Sequence, residues 1–395
     1  MKTRLVITTL SAAALLTQLA ACGGGDNITS VPVSQLFAQT NDASNAVLAF
    51  VRNADGSLSA KGSISTGGKG TNGVNYFMGN IVAPDALTSN NSLIVSPDKT
   101  RLFVANAGDN TVSTFEINPA GGIRLLAVSA TGGIRPTSLA FLNGVLYVTH
   151  QQGAQELGAY RVSTDGKLAL IGQYTVVQQD ALPTQVTVSP DGKFVVVNGF
   201  LKTVTPVQPA NTLLAFPINS DGSLGQAVSS PSAGVGPFGG RFGSGSLTGT
   251  YVVTEAAGTT VSSYAFSSSG AFTTTSGPIA VTGQAAPCWL TITPDNKFAY
   301  VGNGSGAVSL FSLDASGKPT LTNPSIASEP PVSSTTKSFA NDAWASPDGK
   351  YFYQDYAGDD KIVAYSIGTS GALTKIGEQP ANTQSKISLQ GLTGT

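Results

Sequence analysis

Apolar and polar side chains alternate one by one along most of the chain, in short runs closed by Gly, Asp or Asn. Leu102-Phe103-Val104 leads across a turn to Val112-Ser113-Thr114-Phe115-Glu116-Ile117, and Phe298-Ala299-Tyr300-Val301 leads to Val308-Ser309-Leu310-Phe311-Ser312-Leu313. Successive side chains of a strand point to opposite faces, so a period of two predicts strands joined in hairpins. No stretch carries the helical period of about 3.6 residues.

Two turn patterns punctuate these strands. One is Ser96-Pro97-Asp98-Lys99, repeated as Ser189-Pro190-Asp191-Gly192, Thr293-Pro294-Asp295-Asn296 and Ser346-Pro347-Asp348-Gly349, with weaker copies at Asn143-Gly144 and around Gly243 to Gly249. Pro presets φ, Asp bonds the backbone ahead of it, and Gly or Asn accepts a positive φ. The other is a hairpin turn ending at Gly56, Gly122, Gly166, Gly222, Gly270, Gly317 and Gly371, at intervals of 66, 44, 56, 48, 47 and 54 residues. A four-stranded unit of this size cannot bury both of its faces alone, and radial stacking solves that problem. Seven units predict an all-β, seven-bladed propeller over residues 32–395. The first unit starts at Val33-Ser34-Gln35-Leu36-Phe37 without an inner strand, and Ile387-Ser388-Leu389-Gln390-Gly391-Leu392 has no hairpin of its own. The tail is therefore expected to supply the missing strand and close the ring. Two stacked sandwiches would show no fixed period.

Composition agrees with this pattern and adds an address. Of 395 residues 46 are Gly, only 11% are charged and the formal net charge is −1, which excludes a surface built to hold nucleic-acid phosphates. One His and two Cys exclude zinc fingers, a disulfide framework and a three-His metal site, and no cofactor is implied. Lys2 and Arg4 followed by the apolar run Leu5 to Leu19 form a leader too short to span a bilayer. Leu19-Ala20-Ala21-Cys22 resembles the bacterial lipobox, which implies a signal peptide over 1–21, a lipidated Cys22 and a flexible tether over 22–31 that contains Gly23-Gly24-Gly25. An ordinary secretory cleavage site is the alternative. Gly24, rather than Asp, implies sorting to the outer membrane, so the expectation is a monomeric cell-envelope lipoprotein, facing the periplasm or the cell surface and held only by its lipid.

The units Ser189-Pro190-Asp191-Gly192-Lys193-Phe194-Val195-Val196-Val197 and Leu102 to Val112 resemble those of the seven-bladed lactonase propellers, a family with 6-phosphogluconolactonase and muconate-cyclising types. The second unit also resembles the Tyr-Val-Thr-Asn repeats of bacterial surface propellers. The family's Gly-Pro-Arg-His start and Asn-Glu end correspond here to Gly236-Pro237-Phe238-Gly239 and Val253-Thr254-Glu255, so the Glu is kept while Phe238 and Gly239 stand for the Arg and His. Thr184 and Gln185 likewise replace family histidines, and Arg241 is the nearest cation that could substitute.

Placing inner-strand starts and second-strand ends toward a central funnel gathers Gln185, Trp289 and Asp342 with Asn106, His150, Glu255, Asn303, Asp355 and Tyr356. Such a polar collar suits a small polar ligand, a glycan or a partner's loop, and a merely hydrogen-bonded channel mouth would look the same. The resemblance implies a second class, a lactone or ester hydrolase that uses Glu255 with His150 as its catalytic residues. Cys288 reads as a buried inert thiol rather than a nucleophile for His150, and Trp289 as an aromatic at the funnel lip that either stacks on a sugar ring or plugs the channel. Asp342, Asp355, Asp359 and Asp360 match no calcium-loop spacing and read as solvated turn carboxylates.

Overall fold

Seven four-stranded antiparallel sheets follow one another around a ring. The structure is a computed structural model that describes residues 32–333 and 336–395. The leader, Cys22 and the tether lie outside the described residues. Among the described residues no helix is long and apolar enough to cross a membrane, and the helical content is two single turns, Gly245–Leu247 and Ala357–Asp359.

The inner strands of blades 2 to 7 are Leu93–Val95, Ile134–Leu142, Leu182–Val188, Pro237–Phe242, Pro287–Ile292 and Ala340–Ala345. Blade 1 takes its inner strand, Gln390–Gly394, from the other end of the chain. It pairs antiparallel with Gln35–Gln39 through Leu36↔Gly394, Phe37↔Thr393 and Ala38↔Leu392. The tail closes the ring as the pattern predicts.

The turn chemistry also holds. The seven hairpin glycines all have φ between 77° and 92°. In the Ser-Pro-Asp turns Ser96 Oγ donates to Asp98 Oδ1 (2.6 Å), while the Arg101 N–H donates to Ser96 Oγ (2.9 Å). The fourth positions Lys99, Gly192, Asn296 and Gly349 all have positive φ.

Apolar side chains of one strand are divided between two neighbours. Val195 and Val197 pack with Tyr147 and Val186 toward blade 3, while Val196 packs with Tyr251 and Val253 toward blade 5. The two faces of a blade are thus buried against the blades on either side, and only the inner edge of the sheet meets the axis. This geometry decides where every candidate residue points.

The 66-residue interval between Gly56 and Gly122 holds a segment the repeat does not need. Residues 66–92 leave blade 1, form the short hairpin Val74–Asn75 with Ile81–Val82, and then cross the ring before blade 2 begins. Asp85 to Asn90 are all at most 5% exposed. The Asn90 N–H donates to the Thr184 carbonyl (2.9 Å) and Asn90 Nδ2 to the Cys288 carbonyl (3.3 Å), joining blades 4 and 6. Ser89 Oγ donates to the Thr137 carbonyl of blade 3 (2.9 Å). The segment is a plug over the end of the axis where the inner strands start.

Candidate functional site

The two ends of the axis differ in kind. At the inner-strand starts, where the sequence places the collar, the plug and an aromatic belt fill the space. Phe77 of the plug, Phe200, Phe238, Trp289 and Phe339 meet in four successive edge-to-face contacts with centroids 5.6–5.8 Å apart. Phe238 and Gly239 fit this filling. A Cβ on Gly239 would stand 2.3 Å from the Cys288 carbonyl oxygen and 3.2 Å from Asn90 Nδ2, so a larger residue there conflicts with the plug.

Glu255 and His150 are fully buried and are not brought together. They occupy the same register, opposite Pro237 and Pro136, in blades 5 and 3, with blade 4 between them. Both point between blades rather than to the axis. Five donors surround the Glu255 carboxylate: Ser232 Oγ (3.2 Å), the Gly234 N–H (2.8 Å) and Tyr264 OH (2.9 Å) on Oε1, Thr260 Oγ1 (2.6 Å) and Ser262 Oγ (2.9 Å) on Oε2. A carboxylate so saturated anchors the connection between blades 4 and 5 and has no lone pair directed at a water. His150 lies against Gly133, its ring nitrogens have no hydrogen-bond partner among the described residues, and burial lowers its pKa to about 4. It is neutral at physiological pH.

The remaining candidates are clamps of the same kind. Asn106 Nδ2 donates to Ser113 Oγ (2.8 Å), Asn303 Nδ2 to Ser309 Oγ (2.9 Å), and the Tyr356 and Tyr365 hydroxyls pair at 3.1 Å. Gln185 exchanges two hydrogen bonds with the Gly240 backbone of the next blade (2.7 and 2.8 Å). Trp289 is 1% exposed and donates Nε1–H to the Ser89 carbonyl of the plug (3.2 Å). It is a core residue under the plug and not a lip. Cys288 is buried, as expected, and burial pushes its thiol pKa well up.

The carboxylates are the plainest correction. Asp342 and Asp355 are buried, not solvated, and with Asp85 of the plug they form an acidic cluster that sequence reasoning missed. Gln390 Nε2 donates to Asp85 Oδ1 (3.1 Å) and Asp342 Oδ2 (3.4 Å), and the Gly391 N–H donates to Asp342 Oδ2 (2.9 Å). Asp359 pairs with Lys361 (3.2 Å), and Asp360 accepts from Thr383 Oγ1 (2.6 Å). Desolvation first, then repulsion within the cluster, raises Asp85 and Asp355 well above the carboxylate range. Asp342 is pushed up to about 6 by desolvation, against the pull of Arg241.

These folded pKa values lie above the unfolded value of about 3.9, so the fold favours the protonated acids. Their contribution to stability is complete below about pH 4. It is lost as pH rises through about 6 for Asp342, and through the raised pKa values of Asp85 and Asp355, which burial moves well above the ordinary carboxylate range. Asp85→Asn keeps an acceptor for Gln390 without the charge. We expect it to melt above the wild type at about pH 8, an advantage that disappears toward about pH 4.5. Equal shifts in melting temperature at both pH values would show that the cluster is not protonated by the fold.

The other end of the axis is open. All seven blades contribute the ends of their inner strands to a cavity of about 520 Å³ whose walls include Leu93, Phe141, Phe242, Ile292, Trp344 and Leu392. Arg241, the cation singled out in the sequence, lines this mouth, and its Nε–H donates to the Leu290 carbonyl (3.1 Å).

Comparison with known proteins agrees with the fold. The sequence profile described as "Lactonase, 7-bladed beta-propeller" matches residues 39–180 and 245–386. The unmatched interval contains Thr184, Gln185, Phe238 and Gly239, the positions that depart from the family pattern. No curated protein matches the chain in sequence. Among solved structures, a candidate 6-phosphogluconolactonase from Bacteroides fragilis superposes with a TM-score of 0.68 at 17% identity, covering 94% of this chain and 100% of its own. The periplasmic gluconolactonase of Pseudomonas aeruginosa does so at 0.68 and 17%, covering 92% and 99%.

Proposed function

The chain belongs to the family of seven-bladed lactonase propellers, and from that premise we propose that it is a cell-envelope lipoprotein that binds a small ligand at the open mouth of its axis. One observation carries this reading. The end where the family pattern would place an Arg, a His and a Glu is filled by residues 66–92, whereas the opposite end is a cavity ringed by every blade. Its volume of about 520 Å³ suits a small organic molecule. A hydrolytic role for Glu255 with His150 has less support, because the carboxylate is saturated and the imidazole faces a different interface. Similarity to a periplasmic gluconolactonase keeps lactone hydrolysis as the second reading.

Two arms of one experiment separate the readings. The full chain, purified in non-ionic detergent, is expected to leave a panel of γ- and δ-lactones unhydrolysed. It should bind small aromatic and aliphatic compounds in a way that Thr187→Trp, which fills the mouth, abolishes. Lactone turnover that disappears in a folded Glu255→Gln variant would decide for the hydrolase. The address is tested by Cys22→Ser, which should move the protein from washed membranes to the soluble fraction.

A further inference from the structure

The walls of the mouth come from the alternation that packs the blades, and they are apolar or uncharged with one exception. Of the residues that line the cavity, Arg241 alone carries a charge. Its Nε–H is used by the Leu290 carbonyl, and no acidic side chain lies within ion-pair distance of it among the described residues. The carboxylate whose charge acts on it is Asp342. That carboxylate is turned to the Gly391 N–H and Gln390. Arg241 therefore presents a guanidinium without a carboxylate partner beside aromatic and aliphatic walls, where lowered dielectric strengthens any interaction with an anion.

We propose that the mouth is a site for small organic monoanions, with a carboxylate or sulfonate on the Arg241 guanidinium and an apolar body against Phe141, Phe242 and Trp344. This rests on the mouth-binding reading above and names its ligand class. A planar guanidinium matches a carboxylate through two parallel N–H···O bonds, so one Arg suffices for one such headgroup. A sugar phosphate fits poorly. It brings close to two charges for a single cation, and Arg241 is the one charged side chain among the residues that line the mouth. The site differs from that of a lactone hydrolase because no carboxylate or imidazole is among the residues that line the mouth.

Phenylacetate and its neutral isostere phenylacetamide probe the charge at constant shape. Binding to the full chain in non-ionic detergent is read by saturation-transfer NMR and calorimetry. Phenylacetate is expected to bind about tenfold more tightly than the amide, the ratio that a charge-assisted pair supplies. Added salt should weaken the acid and leave the amide unchanged. Arg241→Gln should abolish the difference, Arg241→Lys should retain part of it, and Thr187→Trp should abolish both. Equal affinity for acid and amide, lost on Thr187→Trp, would overturn the anion assignment and leave the mouth as a binding site. Failure of both compounds to bind at millimolar concentration, or binding indifferent to Thr187→Trp, would overturn the assignment and the mouth reading together. The salt dependence on the unmodified protein decides the matter even if Arg241→Gln does not fold.

Discussion

Deletion of residues 386–395 is expected to abolish the cooperative melting transition of the protein. The deleted segment holds the whole inner strand of blade 1, paired with Gln35–Gln39. It also holds Leu389 and Leu392, at 0% and 7% exposure, in a cluster with Leu36, Tyr353 and Ile362 that spans blades 1 and 7. Losing a buried leucine costs about 2–5 kcal/mol, so the two together approach the entire stability of an ordinary domain, about 5–15 kcal/mol. Polar ties go with them. Ser388 Oγ donates to Asp42 Oδ1 (2.9 Å), Gln390 Nε2 to Asp85 Oδ1 (3.1 Å), and the Gln35 N–H to Thr395 Oγ1 (2.9 Å). The opened ring would expose the edge of Gln35–Gln39 to pairing with other chains. Scanning calorimetry with size-exclusion chromatography checks this: no sharp transition, and aggregates in place of monomer. A truncated chain that melts within a degree or two of the full one would mean that blade 1 stands without its inner strand.

The ring and its blade number were legible because they rest on local turn chemistry that recurs from blade to blade, and its closure because the first unit lacks an inner strand while the tail is a strand without a hairpin. Gly56 and its six counterparts mark hairpins that need positive φ, and Ser96-Pro97-Asp98 and its copies mark the turns out of the inner strands. The direction of the candidate side chains was not legible. Alternation tells which residues share a face, and in a propeller both faces of a blade are buried. Asn106, His150, Glu255 and Asn303 do share one register, but that register lies between blades. The plug was hidden for a different reason. Residues 66–92 have no alternation of their own, and Asn72, Asn80, Asp85, Thr88 and Asn91 adopt positive φ that their surroundings impose. Their one signal was the longest interval in the repeat. Asp85 could not be assigned to an acidic cluster with Asp342 until the plug had been placed on the axis.

The plug makes Trp289 the residue whose loss the body of a blade should feel most. A lip aromatic would contribute stacking to a ligand and little to the fold, but this indole is 1% exposed and wedged between Phe238 and Phe339, with both centroids at 5.6 Å. Its Nε1–H donates to the Ser89 carbonyl, so it binds blade 6 to the plug as well as to its neighbours. Trp289→Ala would leave a cavity between blades 5 and 6 and an unpaired carbonyl under it. The expected loss is about 3–5 kcal/mol, read as a fall of several degrees in melting temperature and a lower denaturant midpoint. Trp289→Phe should recover most of the packing and none of the hydrogen bond, so its loss should fall well below that of Ala. Ligand affinity at the mouth should be unchanged in both folded variants, since the mouth lies at the other end of the inner strands. Unaltered melting with loss of ligand binding in Trp289→Ala would place the ligand at the plugged end and require the plug to leave it. The amides of Ser89 and Asn90, now buried against blades 3, 4 and 6, would then exchange with solvent far faster than those of the inner strands.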